Sequence, residues 1–210
     1  MTKKPIHKKV LRIVMTWLLP VLFFQKIYGQ TELLDSLTLD KTYSYTSIEE
    51  AMQHPEQVIR LELRKKRLKQ IPPEVFQLPN LQYLDLSKNK IRDLPDEIGQ
   101  LKNLQYLALS KNELQEINPQ IGNLKNLYYL EINNNELTAL PLEIGKLEKL
   151  KYLDLWSNEI GRFPDEMKNL KNLKMLDLRV IMIPDNDQSH IQWLLPHTKI
   201  YFSPYCRCAQ

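Results

Sequence analysis

Apolar and polar positions alternate along the chain in a pattern that repeats at a fixed distance. The nine residues from 81 to 89 read LQYLDLSKN, and the phrase returns with small changes at 104, 127 and 150. Every step between repeats is 23 residues, with first positions at Val58, Leu81, Leu104, Leu127, Leu150 and Leu173. A constant period over several intervals predicts an array of stacked repeats.

The pattern within one unit predicts a short strand followed by a turn with helical spacing. Complete units follow L-x-x-L-x-L-x-x-N-x-L-x-x-L-P-x-x-I-x-x-L-x-x. The L-x-L alternation suits a strand with one buried face, and the later I-x-x-L spacing suits a helical turn on the other side. No unit can enclose its own leucines, so neighbouring units stack and share one continuous core.

This pattern resembles that of the leucine-rich repeat proteins over residues 58 to about 180. The resemblance implies an α/β repeat solenoid, a horseshoe with a short parallel sheet on its concave face and helical or 3-10 turns on its convex face, capped at both ends. It also implies that one asparagine per unit points inward and bonds backbone groups of its neighbours. These ladder residues are Asn89, Asn112, Asn135 and Asn158.

The flanks of the repeats are candidates for the caps. We expect residues 30 to 57 to form a linker and an N-terminal helical cap, because Thr46-Ser47-Ile48-Glu49 opens a short helix in the manner of a capping box. We expect residues 181 to 210 to form a C-terminal cap and tail, with one helix and a last strand from Ile200 to Phe202. Trp193 and Phe202 are predicted to pack inside this cap.

The first 29 residues have the anatomy of a signal peptide. Basic residues precede an uncharged apolar run from Ile13 to Phe24, and Gly29 marks a candidate cleavage site. The run is shorter than the roughly 20 residues that cross a bilayer. A buried N-terminal helix and an uncleaved anchor are the alternatives. Membrane association is therefore expected only through the export leader, and we expect a secreted or cell-envelope location.

Charge and composition exclude several function classes. The formal charge is +4, but residues 1 to 29 hold six Lys or Arg and no acid, which leaves 23 basic against 25 acidic residues in the remainder. A nucleic-acid partner is therefore not expected. No nucleotide-binding glycine motif or metal-site spacing occurs, and the repeat serines have no histidine base, so we predict no cofactor, no metal and no enzyme activity.

Two cysteines, Cys206 and Cys208, form a C-x-C pair near the C-terminus. A mobile tail, a small disulfide ring, a share in a metal site and a link between chains all remain open for this pair. No cysteine lies in the repeats, so no disulfide framework is predicted. Extracellular animal relatives in the resembling family usually carry cysteine-rich flanks, and the lack of them here favours a bacterial source.

Alternation along each strand assigns positions three, five and seven to the concave face. Position three is aromatic in four successive units: Tyr83, Tyr106, Tyr129 and Tyr152. Position five is acidic in most units, including Asp85, Glu131, Asp154 and Asp177. Trp156 stands at position seven. Tyrosine and tryptophan often anchor interfaces, although a tyrosine ladder can also serve only to stabilise the sheet.

A basic edge borders this face over the first three units. It comprises Lys65, Lys88 and Lys111 at position eight and Arg67 and Lys90 at position ten. We predict an exported, non-catalytic protein whose concave face binds another protein or a peptide, with a basic segment of the partner facing the acidic column. The alternatives are binding of a cell-surface saccharide on the tyrosines and, if the leader is not a signal peptide, an intracellular scaffold like the Ras-suppressor-like repeat proteins.

Overall fold

The computed structural model describes residues 32 to 203, and within them the strands form one parallel sheet in sequence order. The eight strands are β1 (Ser44–Tyr45), β2 (Arg60–Glu62), β3 (Tyr83–Asp85), β4 (Tyr106–Ala108), β5 (Tyr129–Glu131), β6 (Tyr152–Asp154), β7 (Met175–Leu178) and β8 (Lys199–Phe202). The predicted solenoid is confirmed: neighbouring repeat strands pair in register, Tyr83 with Tyr106 and Leu84 with Leu107, at the 23-residue offset of the sequence.

Each of the first five repeat strands is followed on the convex side by a 3-10 turn. The turns are Pro73–Gln77, Asp96–Gln100, Pro119–Asn123, Leu142–Lys146 and Asp165–Asn169. Proline enters at or just before each turn, where its fixed φ suits the tight geometry and its missing N–H costs nothing. The third unit places its proline one residue later, and the side chain of Asn118 caps the turn there by accepting from the N–H of Gln120 at 2.8 Å.

The apolar positions of all units merge into one core. Side chains such as Leu84, Leu107, Leu130 and Leu153 are at most 1% exposed. Burying a leucine or isoleucine contributes about 1.5 to 3 kcal/mol, so several per unit offset the entropy of ordering a chain rich in turns.

The asparagines at position nine bind backbone groups of two units at once. The side-chain N–H₂ of Asn112 donates to the carbonyls of Leu86 at 3.1 Å and Leu109 at 2.8 Å, and its oxygen accepts from the N–H of Ile91 at 3.0 Å. Asn89, Asn135 and Asn158 make the equivalent contacts. The residue before each asparagine has a positive φ, between 53° and 60° in the repeat units.

The N-terminal flank, expected to be a linker followed by a helical cap, contains helices and a strand from residue 36 onward. Helix α1 (Ser36–Lys41) begins at Asp35, whose carboxylate accepts from two helix N–H groups, and it buries Leu39. Strand β1 then pairs with β2. Helix α2 (Ile48–Ala51) has Ser47 as its cap, and a 3-10 turn starts at Pro55. These residues cover the open edge of the first repeat.

The C-terminal flank contains helix α3 (Asp185–Leu194) and strand β8, which pairs with β7. Ile191, Leu194 and Leu195 are buried, and Phe202 packs against the core. The prediction for Trp193 was wrong: its side chain is 72% exposed, and its ring stacks on His190 with centroids 5.9 Å apart. The buried stripe of α3 runs through 191, 194 and 195, and position 193 lies off that stripe.

The predicted leader and the C-x-C pair lie outside the described residues, so the fold says nothing of either. None of the helices between residues 32 and 203 has the length and hydropathy needed to cross a bilayer.

Candidate binding face

The outward side chains of the sheet form three columns, because the strands pair in register. Column three runs from Arg60 through the four tyrosines to Met175, column five carries the acids, and column seven carries Trp156. Neighbouring members of a column belong to adjacent strands, roughly 4.8 Å apart. The sequence-predicted residues of this face therefore lie together on one surface.

The tyrosines of column three stack on one another. Ring centroids are 4.2 Å apart between Tyr83 and Tyr106, with planes 5° from parallel, and 4.6 Å apart between Tyr106 and Tyr129. Tyr129 and Tyr152 are 5.7 Å apart and tilted by 39°. The guanidinium of Arg60 covers the outer face of Tyr83 at 3.7 Å from its centroid. The faces of the first rings are thus occupied within the chain, and Tyr83 is only 7% exposed.

Burial in this stack keeps the phenols protonated. Desolvation, followed by nearby carboxylates and the neighbouring phenols, raises the pKa of Tyr129 to about 12. The pKa of Tyr106 is raised further, again mainly by burial. The hydroxyl of Tyr106 donates to Glu131 at 3.2 Å. The stacked tyrosines are therefore uncharged and present the edges of their rings, and not the faces, to a partner. Their hydroxyl groups lie next to the acidic column.

Arginines of the same chain form ion pairs with two acids of the column, Asp85 and Asp177. Asp85 lies 3.3 Å from the Nε of Arg64, and Asp177 lies 2.6 Å from an Nη of Arg179. Both carboxylates are also buried, at 3% and 8% exposure. Asp85 and Asp177 therefore bind groups of their own chain, including the N–H groups of Ser87 and Arg179, and present little surface to a partner.

Glu131 and Asp154, in the middle of the column, have only neutral donors among the described contacts. Glu131 accepts from the Oγ of Ser110 at 2.6 Å and from Tyr106. Asp154 accepts from the Nδ2 of Asn133 at 2.6 Å and from the N–H of Trp156 at 3.0 Å.

Burial raises the pKa of Asp154, with the charges of Asp177 and Glu131 adding to the effect, while the hydrogen bonds from Trp156 and Asn133 oppose it. Among the described residues, these two half-buried carboxylates thus have no ion-pair contact with a cation, although the charge of Arg179 on the next strand also acts on Asp154.

The sequence missed one aromatic residue of this face. Strand β8 pairs Tyr201 with Asp177, which extends column five by one strand, and the ring of Tyr201 lies 5.6 Å from the guanidinium carbon of Arg179. The alternation in KIYF carries the signal, since Ile200 continues the core column and Tyr201 must point the other way.

The basic edge is exposed in the structure. Lys65, Lys88 and Lys111 each follow a strand, have a positive φ and project into solvent. Their backbone N–H groups bond to the next unit, for example Lys88 to the carbonyl of Ser110 at 2.8 Å.

No group of three or more His, Cys, Asp or Glu residues between positions 32 and 203 is placed to hold a metal ion. His190 lies 2.9 Å from Asp165 at the exposed end of the C-terminal cap, away from the columns.

Comparisons with known proteins agree with this geometry. Family models described as leucine rich repeat and leucine-rich repeat region match residues 56–114 and 112–194. A leucine-rich repeat protein of Leptospira interrogans is 35% identical, with a TM-score of 0.64, over 78% of this chain and 49% of that chain. Internalin C2 of Listeria monocytogenes is 26% identical, with a TM-score of 0.64, over 75% and 66% of the two chains.

The leucine-rich repeat ectodomain of the Arabidopsis thaliana receptor kinase GASSHO1/SCHENGEN3 is 28% identical, with a TM-score of 0.62, over 76% of this chain and 20% of that chain. The chain thus spans about half the length of the Leptospira protein and less than two thirds of the other two. No curated protein sequence matches the chain significantly. The repeat register, the asparagine ladder and the two family models together lead to one conclusion: the chain is a leucine-rich repeat protein.

Proposed function

We propose that the chain is an exported, non-catalytic binding protein whose concave face holds a protein or peptide through a basic side chain placed between Glu131 and Asp154. The observation that carries the proposal is that Glu131 and Asp154, both half-buried, have no ion pair within residues 32 to 203, and that Asp154 accepts from the N–H of Trp156. Leucine-rich repeat folds commonly mediate protein binding, and the plant ectodomain named above is in complex with Casparian strip integrity factor 2.

The energetics favour a cationic group at this place. Glu131 and Asp154 are neighbours across paired strands, so their charges repel, and burial adds a desolvation cost. A lysine or arginine of the partner would counter the repulsion, and its attraction would offset the desolvation cost, as Arg64 does for Asp85 and Arg179 for Asp177. Trp156 supplies apolar area next to the charge, which is the usual composition of an interface hot spot.

Stacking of sugar rings on column three is disfavoured by the tyrosine geometry. A saccharide needs an open ring face, and the spacings of 4.2 Å and 4.6 Å close the faces between Tyr83, Tyr106 and Tyr129. The stack also means that removing Tyr106 or Tyr129 would disturb the sheet, so the binding test uses the carboxylates and Trp156.

Removing the two central charges is expected to weaken peptide binding by about 10- to 100-fold, the usual cost of losing one side of a partly buried charge pair. A library of displayed octapeptides would be selected for binding to the wild-type protein. The affinities of the selected peptides would then be measured for the wild type, for the double variant Glu131→Gln, Asp154→Asn and for Trp156→Ala. Binding should also weaken as the pH falls through the raised pKa of Asp154, because the carboxylate is the binding form.

The matched control for this test is the double variant Asp96→Asn, Glu97→Gln, which removes the same two kinds of charge from an exposed convex turn. It should bind the selected peptides as the wild type does. Selected peptides without lysine or arginine, or equal affinity for the wild type and the concave double variant, would contradict the proposed site.

Export is tested separately from binding. We expect mass spectrometry of the protein purified from its host to find a mature N-terminus close to Gly29 in an extracytoplasmic or culture-medium fraction. A chain that retains Met1 in the cytosol would overturn the secreted or cell-envelope location and would favour the intracellular scaffold.

A further inference from the structure

A second concave surface lies beside the sheet, where the repeat strands begin. It is formed by the last residue of each unit and the second residue of the next, and we call it the strand-start edge. A depression of about 270 Å³ lies on it. Its lining residues include Asn126, Tyr128, Lys149, Lys151 and Asn172. A neighbouring depression of about 340 Å³ shares Asn172 and adds Lys146 and Lys171.

The lysines of this edge are largely free of acid partners. The ammonium of Lys149 donates to the Oδ1 of Asn126 at 2.7 Å. That of Lys151 lies 6.0 Å from the ring centroid of Tyr128, and neither lysine pairs with a carboxylate in the part of the chain that the structure describes. Glu148 is the one carboxylate that lines either depression within residues 32 to 203. Asp40 and Asp35 of the N-terminal flank act electrostatically on Tyr128, so the part of the edge suited to an anion is the part that holds the ammonium groups of Lys149 and Lys151.

The second residues of the units have no backbone N–H left for an extended peptide. The N–H of Tyr128 bonds to the carbonyl of Gln105 at 2.9 Å, that of Lys151 to Tyr128 at 2.8 Å, and that of Lys174 to Lys151 at 2.8 Å. A peptide that adds to a sheet depends on unused backbone groups. A ligand at these second positions therefore meets side chains and no unused backbone N–H.

The side chains available combine amides, a phenol and two ammonium groups. Amides and a phenol can exchange hydrogen bonds with hydroxyl groups in both directions, and an aromatic ring can pack against a sugar ring. Ammonium groups bind carboxylate or phosphate. The amides keep capacity for this role, because the Nδ2 of Asn126 and of Asn172 each bond to a backbone carbonyl and leave a second N–H.

We propose that the strand-start edge at Tyr128, Lys149 and Lys151 binds an acidic saccharide, a sugar unit that carries an anionic group. The amides and Tyr128 contact the hydroxyls and the ring, and the two lysines contact the anion. The site is separate from the acidic column, so one protein presents an anion-binding edge and a cation-binding face. The saccharide binds at the edge that carries the lysines, where the ring of Tyr128 is not part of the tyrosine stack of column three.

Trigalacturonate is a suitable probe, with its methyl ester as the uncharged counterpart. Titration calorimetry on the full chain is expected to detect trigalacturonate and not the ester. The double variant Lys149→Gln, Lys151→Gln should lose about tenfold or more of the affinity, since it removes both ammonium contacts to the anion. Tyr128→Leu should weaken binding while leaving both ammonium groups in place.

The matched control is Lys88→Gln, Lys111→Gln, which removes two exposed lysines from the opposite edge and should leave trigalacturonate affinity within about twofold of the wild type. The concave variant Glu131→Gln, Asp154→Asn should also keep it, which separates this site from the proposed peptide face. Circular dichroism checks that each variant is folded.

Three outcomes would overturn the proposal. The first is the absence of trigalacturonate binding at millimolar concentration, and the second is equal binding by the wild type and the Lys149, Lys151 double variant. The third is equal affinity for triglutamate or inorganic phosphate, because that result would make the edge a general anion site with no preference for a sugar.

Discussion

Replacing Asn112 with alanine is expected to lower the free energy of unfolding by about 3 kcal/mol. The change removes three hydrogen bonds and leaves the carbonyls of Leu86 and Leu109 and the N–H of Ile91 buried without this partner. A buried polar group left unsatisfied costs about 1 to 3 kcal/mol. Leu86 and Ile91 belong to the second unit and Leu109 to the third, so the loss should weaken the interface between the second and third repeats. Urea unfolding followed by circular dichroism measures it.

Asn103→Ala is the matched control for this prediction. The side chain of Asn103 also donates to a backbone carbonyl, that of Pro79 at 2.9 Å, but at an exposed position where water can replace it. It should cost about 1 kcal/mol or less. Equal losses for the two variants would mean that the buried ladder adds nothing beyond an ordinary surface amide.

The repeat register could be predicted from the sequence because every unit has the same length. When Leu84 pairs with Leu107, the constant step of 23 residues forces every other column into register as well. The strand alternation and the position of Asn112 follow from the same period. The spacing of apolar and polar residues within and between units determines these features, so they can be predicted from one sequence.

Burial and pairing within the columns could not be predicted in the same way. Whether Asp85 contacts a partner or Arg64 depends on the rotamers of both side chains. The alternation of the strand does not predict these rotamers. The same holds for Tyr83, whose outer face is covered by Arg60 from the first repeat. These contacts change the candidate site from a whole column of acids to Glu131 and Asp154.

The N-terminal flank shows a similar limit. The main-chain N–H of Leu34 donates to the Oε1 of Gln82 at 2.9 Å, and its carbonyl accepts from the Nε2 of Gln105 at 2.9 Å. These partners are 48 and 71 residues away in sequence, and no periodicity connects them. Trp193 differs, because the buried stripe of α3 through Ile191 and Leu194 already places it on the solvent side.

Alanine substitutions at the glycines of the convex side are expected to cost more stability where an added Cβ would lie closer to neighbouring atoms. A Cβ on Gly145 would meet the carbonyl oxygen of Glu166 far inside van der Waals contact, and the carbonyl carbon of the same residue at 2.8 Å. These are backbone atoms of the next 3-10 turn, so the two units must move apart. Gly145→Ala should cost about 2 to 3 kcal/mol, as overpacking of a tight interface does.

Gly122 and Gly99 provide intermediate steps in this series. A Cβ on Gly122 would lie 2.9 Å from the carbonyl oxygen of Glu143, and one on Gly99 would lie 3.1 Å from the carbonyl oxygen of Gln120. The Gly161 control has no heavy atom within 4 Å, and its alanine variant should be neutral or slightly stabilising because alanine reduces the entropy of the unfolded chain.

Urea midpoints for the four alanine variants should therefore fall in the order Gly161, Gly99, Gly122 and Gly145. A Gly145 variant as stable as the Gly161 variant would show that the turns slide past one another without cost, and that the spacing of the units is set by the sheet and the asparagine ladder alone. The predicted order instead requires both sides of the solenoid to hold the units at one distance. That rigidity fixes the separation of Glu131 and Asp154 on the concave face.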